Sequence, residues 1–137
     1  MKKYLILLAV VLSPSTLAVD LFCQEKSYTS TNDNDHHLLR LEMDELTRMA
    51  SGTHYWLRED TNNLLIEVKE YDVSGSQIED IQVWVKSGYF GRGAYLNRQT
   101  LHWNGALGLH CKIVRNFDQR LASYRAQAEA NTPELAF

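Results

Sequence analysis

Leu39, Leu41 and Met43 fall on one side of an extended chain, and Arg40 and Glu42 on the other. A period of two predicts a half-buried antiparallel strand. The pattern recurs along the sequence. Leu64, Ile66 and Val68 alternate with Leu65, Glu67 and Lys69 to about Tyr71, and Ile81, Val83 and Val85 alternate with Gln82, Trp84 and Lys86. Leu101 and Trp103 point one way and Thr100 and His102 the other; Leu109, Cys111 and Ile113 alternate with His110 and Lys112. Leu21 to Thr29 reads as a first strand with Leu21 and Cys23 on one face. Thr53 to Arg58, with Thr53, Tyr55 and Trp56, is rich in β-formers, and Ala94 to Asn97 is a further short segment.

Turn chemistry separates these runs. Thr29 to Asp35 is a polar loop, Glu59 to Asn63 a turn, and Asp72 to Asp80 a turn around Ser74-Gly75-Ser76. Asp44 to Gly52 reads as a short capped helix or, preferred, a wide connection between strands. Ser87-Gly88 marks a bulge or tight bend, and Asn104-Gly105 is a strong hairpin signal. The tail changes period. Phe117, Leu121, Tyr124 and Ala128 form one apolar stripe, Asn116 and Gln119 have capping-box spacing, and Thr132-Pro133 ends the helix, which runs over about 117–130. It is expected at the barrel mouth or on an open sheet edge. Short strands with one terminal helix predict a mainly β fold, a small antiparallel barrel or sandwich stapled by one disulfide. Gly88 to Val114, which ends in the strand carrying Cys111, is the stretch around which that fold is organised.

The first residues alter the picture of compartment. Lys2 and Lys3, the apolar run Tyr4 to Leu12 and Thr16-Leu17-Ala18 form a signal-peptide pattern over residues 1–18. The run is shorter than the about 20 residues a spanning helix needs. Cleavage after Ala18 leaves residues 19–137 as a single domain, and loss of Lys2 and Lys3 moves the formal charge from −3 to −5. That acidity speaks against a nucleic-acid partner. The signal pattern predicts a periplasmic or secreted protein, and since no long apolar run remains it is not expected to be embedded in a membrane; a monomer is expected. In an oxidising compartment the two cysteines, Cys23 and Cys111, read as one disulfide, contributing roughly 4–5 kcal/mol in the chain-entropy picture.

Candidate chemistry is sparse. His36 and His37 fall in a polar loop beside Asp33 and Asp35, where a solvated surface is the preferred reading; Leu38 stands where a calcium loop needs glycine. His54, His102 and His110 fall on outward positions, and the hairpin allows His102 and His110 to be neighbours across strands. No nucleophile-elbow serine, phosphate loop, metal-ligand spacing or cofactor signature is present, so no cofactor is expected. Trp84, Tyr89 and Arg92 are placed together as an exposed aromatic and cationic binding patch. Arg98 is a further binding candidate, although bonding to a carbonyl or carboxylate across strands suffices to explain it.

Tyr95-Leu96-Asn97-Arg98-Gln99-Thr100-Leu101, followed by Gly108-Leu109-His110-Cys111, resembles a segment of small exported proteins of Gram-negative bacteria. In these a hydrophobic-Asn/Asp-Arg-x-Thr run enters a late strand and a cysteine follows. The resemblance covers about the last third of the chain beyond residue 18 plus Cys23, and implies no activity. In outline the chain is also similar to the periplasmic lysozyme inhibitors, small disulfide-stapled β-barrels, whose Ser-Gly-x-x-Tyr loop is replaced here by Arg92-Gly93-Ala94-Tyr95. The expectation is a non-enzymatic module binding a protein or cell-envelope component, inhibitor-like. The alternatives are a small envelope hydrolase using a His and a carboxylate, and a purely structural stress protein.

Overall fold

The structure, a computed structural model, describes residues 16–25, 36–104 and 108–132. Among these residues nine strands make one antiparallel sheet: β1 (Thr16–Glu25), β2 (His36–Asp44), β3 (Met49–Glu59), β4 (Leu65–Asp72), β5 (Ser76–Glu79), β6 (Gln82–Val85), β7 (Ala94–Asn97), β8 (His102–Asn104) and β9 (Leu109–Ile113). Strand β9 pairs back onto β1, and β3 pairs with both β2 and β5, so eight strands close into a barrel. Strand β4 is the ninth, added outside on the far half of β3. Of the two predicted architectures the barrel is the one formed, and among the described residues it leaves no open edge except along β4.

The interior follows the predicted alternation where the residues are apolar. Leu21, Cys23, Leu39, Leu41, Met43, Val83, Val85, Leu96, Trp103 and Leu109 are buried in one core. Cys23 and Cys111 are direct cross-strand partners on β1 and β9 and form the disulfide. Gly52 lies in β3 between the residues paired with β5 and those paired with β4. A Cβ there would lie 1.8 Å from the Arg40 carbonyl oxygen, and its φ of +146° is closed to other residues.

A second core lies outside the barrel. Helix α1 (Phe117–Asn131) buries Phe117, Leu121 and Ala128 against Leu38, Leu57 and Leu65. It packs along β4, the open edge, and the Asn131 amide donates to the Leu65 carbonyl at 2.9 Å. Leu38 is therefore buried although it points out of the barrel. Arg40 fastens the helix start: it donates to Asp20 at 2.8 Å and Asp118 at 2.9 Å, and lies over the Phe117 ring.

Several local expectations change. Asn116 takes a left-handed conformation and its side chain caps nothing, so the capping box does not form. Asp44 to Gly52 is neither a helix nor a wide connection; a four-residue turn at 45–48 joins β2 to β3. The supposed turn from Asp72 to Asp80 contains β5, whose buried residues are Ser76 and Ile78. In β4 a bulge opposite Arg58 and Glu59 shifts the register, so that Leu65 rather than Leu64 is buried. The signal-peptide pattern lies mostly outside the described residues, as do Thr29 to Asp35 and Gly105; Thr16, Leu17 and Ala18 pair with β2.

Candidate functional site

The candidate site arises where β3 changes partner. Its first residues, Met49 and Ala50, pair with β5, while Thr53 to Glu59 pair with β4. Beyond Asp72 the chain leaves β4 and turns into β5, which opens a gap between the end of β4 and β6. A 3₁₀ turn, Gly88–Phe90, follows β6 and packs close to β4: a Cβ on Gly88 would sit 3.3 Å from the Tyr71 ring. The gap is a cleft of about 560 Å³ lined by Asp72, Trp84, Lys86, Ser87, Gly91 and Arg92.

Each wall has a local cause. Trp84 points outward from β6 and is half-buried, because Gly93 lies beneath its indole; a Cβ on Gly93 would be 2.9 Å from the ring and 2.6 Å from the Val85 carbonyl oxygen. Arg92 and Lys86 are exposed, and among the described residues Arg92 has no ion-pair partner. Asp72 accepts from the backbone and hydroxyl of Ser74 at 3.1 and 2.8 Å, which holds its carboxyl below the usual range, with the charge of Lys86 adding to the effect. The lining therefore carries two cations, one satisfied carboxylate and one large aromatic face. Tyr95 stands opposite Trp84 on the same outward face of β7 and is 41% exposed. A hydrogen bond to Glu79, then the carboxylate charge, raises the Tyr95 phenol above its ordinary pKa.

The structure thus brings Trp84 and Arg92 together as the sequence predicts, and removes Tyr89 from them. Tyr89 sits among His37, Trp56 and Phe90, with ring centroids at 4.7, 5.1 and 5.0 Å. Tyr95 is the exposed tyrosine on Trp84's face, and its position opposite Trp84 becomes visible only once β6 and β7 are paired.

Two histidine expectations are corrected. His37 belongs to β2 and His54 to β3, and both are fully buried inside the barrel. Their placement follows parity: His37 shares the inward face of Leu39, Leu41 and Met43. His37 Nδ1 lies 2.8 Å from His54 Nε2, and His54 Nδ1 lies 2.7 Å from Ser87 Oγ. Burial, and secondarily the neighbouring His36, lowers the His37 pKa to about 3; burial and then His37 drive His54 well below its ordinary value. Both rings are neutral at pH 7, and the chain ends at His37 Nε2, which is buried without a hydrogen-bond partner. Ser87 is 1% exposed. His36, the outward neighbour, lies 3.5 Å from Glu59.

Arg98 is remote from the cleft, at the other end of the barrel. It donates to the Glu45 carboxylate and to the Asp80 carbonyl oxygen, the cross-strand role that its sequence context suggested. Asn97 accepts from the backbone of Gln99 and Thr100 at 2.8 and 2.9 Å and shapes the turn between β7 and β8. His102 and His110 are cross-strand partners with stacked rings 4.5 Å apart, as the hairpin allowed. Among the described residues no group of three or more His, Cys, Asp or Glu is placed to hold a metal ion, and no helix is long and apolar enough to cross a membrane. No protein family, curated protein or solved structure matches the chain.

Proposed function

We propose that the protein is a non-enzymatic binding module of the periplasm or extracellular space, inhibitor-like, which takes an anionic group of a protein or cell-envelope component at the Trp84–Arg92 cleft. The observation that carries this reading is the cleft itself: Lys86 and Arg92 flank the Trp84 face in about 560 Å³ of open space, on a chain whose overall charge is negative. A local cationic pocket on an acidic molecule selects for an anion by charge complementarity, and Trp and Arg are frequent anchors of interfaces. Among the described residues no histidine lines this cleft.

The experiment is capture of periplasmic and envelope components by the immobilised, oxidised protein, repeated over a salt series. Contacts with Lys86 and Arg92 require that retention weakens as salt rises from about 0.05 to 0.5 M, because exposed charges are screened. Retention indifferent to salt argues against a charge-recognising cleft.

A hydrolase is favoured by one observation, the 2.7 Å contact between His54 and Ser87, a residue that borders the cleft. Its weakness is the burial of Ser87, which is 1% exposed. Covalent labelling of Ser87 by a fluorophosphonate, lost in His54→Phe, would establish that reading; an unlabelled wild-type protein removes it.

A further inference from the structure

The end of the barrel opposite the 3₁₀ turn carries an unusual surface. Strands β1, β3, β6 and β8 start there, and β2, β5, β7 and β9 finish there. Seven large hydrophobic residues are exposed among those described, and four of them that lie beyond the expected cleavage after Ala18, Leu46, Met49, Ile81 and Ile113, stand at this one mouth. Leu46, at the tip of the β2–β3 turn, is 82% exposed, and Ile113, at the end of β9, is 67% exposed. Isolated exposed apolar residues need no explanation, whereas four around one opening are a candidate binding surface.

Inside that rim is a pocket of about 210 Å³, with walls of Val19, Leu21, Met43, Val83 and Leu96. Its one charged lining residue among those described is Arg98. The guanidinium has five N–H donors. Two are directed at the Glu45 carboxylate and the Asp80 carbonyl oxygen. Arg98 itself is part of the wall of this apolar cavity, which is smaller than the about 300–1,000 Å³ of pockets that enclose drug-sized ligands. A narrow apolar slot with a single guanidinium at its edge fits one short chain ending in a carboxylate.

We propose that this mouth binds a free medium-chain carboxylate: the acyl chain enters between Leu21, Val83 and Leu96, and the carboxylate pairs with Arg98. Glu45 already places a carboxylate on Arg98 from the β2–β3 turn. It acts as an internal competitor, exchanged for the ligand's headgroup when the pocket fills.

Calorimetric titration with octanoate tests this. Octanoate binds saturably at one site, and hexanoate binds more weakly by about fourfold for each methylene lost, the factor expected from apolar burial. Octan-1-ol, which has the chain without the charge, binds more weakly than octanoate. Glu45→Gln, an exposed turn substitution that removes the competitor, tightens octanoate several-fold and leaves octan-1-ol unchanged. Arg98→Gln brings octanoate down to the level of octan-1-ol; if that variant fails to fold, the Glu45→Gln comparison decides alone. The proposal is overturned if octanoate does not saturate, if hexanoate and octanoate bind alike, or if Glu45→Gln leaves octanoate affinity unchanged. Sedimentation with neutral phosphatidylcholine vesicles, with no octanoate binding, would also overturn it and make the mouth a membrane-facing surface.

Discussion

His37 and His54 occupy interior positions where an aliphatic residue would pack without a desolvation cost. They face each other, Ser87 and the rings of Tyr71, Tyr89, Phe90 and Trp103, and none of these neighbours supplies a negative charge. The consequence is a pH dependence with a definite sign. The unfolded chain takes up protons on both rings as pH falls through 6.5, while the folded His37 stays neutral down to about 3. Stability is complete above pH 6.5 and is lost progressively below it, on the order of 1.4 kcal/mol per histidine per pH unit. Urea melts between pH 7 and pH 5, above the carboxylate range, read this directly. Phe at position 54 should flatten the slope; a flat wild-type profile would mean that the imidazoles are protonated in place. Gly52→Ala is the other residue-scale test. With φ at +146° and the Arg40 carbonyl in the way, it should cost at least about 2 kcal/mol in a denaturant melt, and a neutral outcome would contradict the close β2–β3 approach at Gly52.

At the scale of elements, legibility followed how far apolar alternation is carried by the sequence itself. β2, β6 and the inward side of β9 were readable because Leu39, Leu41, Val83, Val85 and Leu109 mark every second position. Strand β5 was not, because one of its two inward residues is Ser76. Its hydroxyl donates to the Val73 carbonyl at 2.6 Å and accepts from the Lys86 backbone at 2.9 Å, so a polar residue is satisfied where the pattern calls for an apolar one. The buried histidines were missed for the same reason, although His37 had the parity of its strand's core face. Tyr89 was misplaced because a 3₁₀ turn rather than a strand carries it. The helix stripe was legible and its cap was not, since capping depends on the backbone conformation of Asn116. Leu121→Asp places a charge in the outer core beneath α1 and should destabilise by about 3 kcal/mol or more. If thermal denaturation is unmoved, α1 does not hold β4 in place.

At the scale of the whole molecule, closure rests on the seam between β1 and β9, where the disulfide spans 88 residues of sequence. Replacing both Cys23 and Cys111 by Ala should lower stability by about 2–5 kcal/mol, and free-thiol labelling of the unfolded, unreduced wild-type chain should find none. The closed barrel also separates two chemistries: a cationic, aromatic cleft on its side wall, and an apolar mouth around Arg98 at one end. The most direct measurement of the binding account is retention of periplasmic and envelope components by a Lys86→Glu/Arg92→Glu variant beside the wild type, with Tm recorded for both. Both residues are exposed, so the account predicts that retention falls by about tenfold or more while Tm moves by less than about 3 °C. Undiminished retention by the charge-reversed, fully folded variant would contradict it.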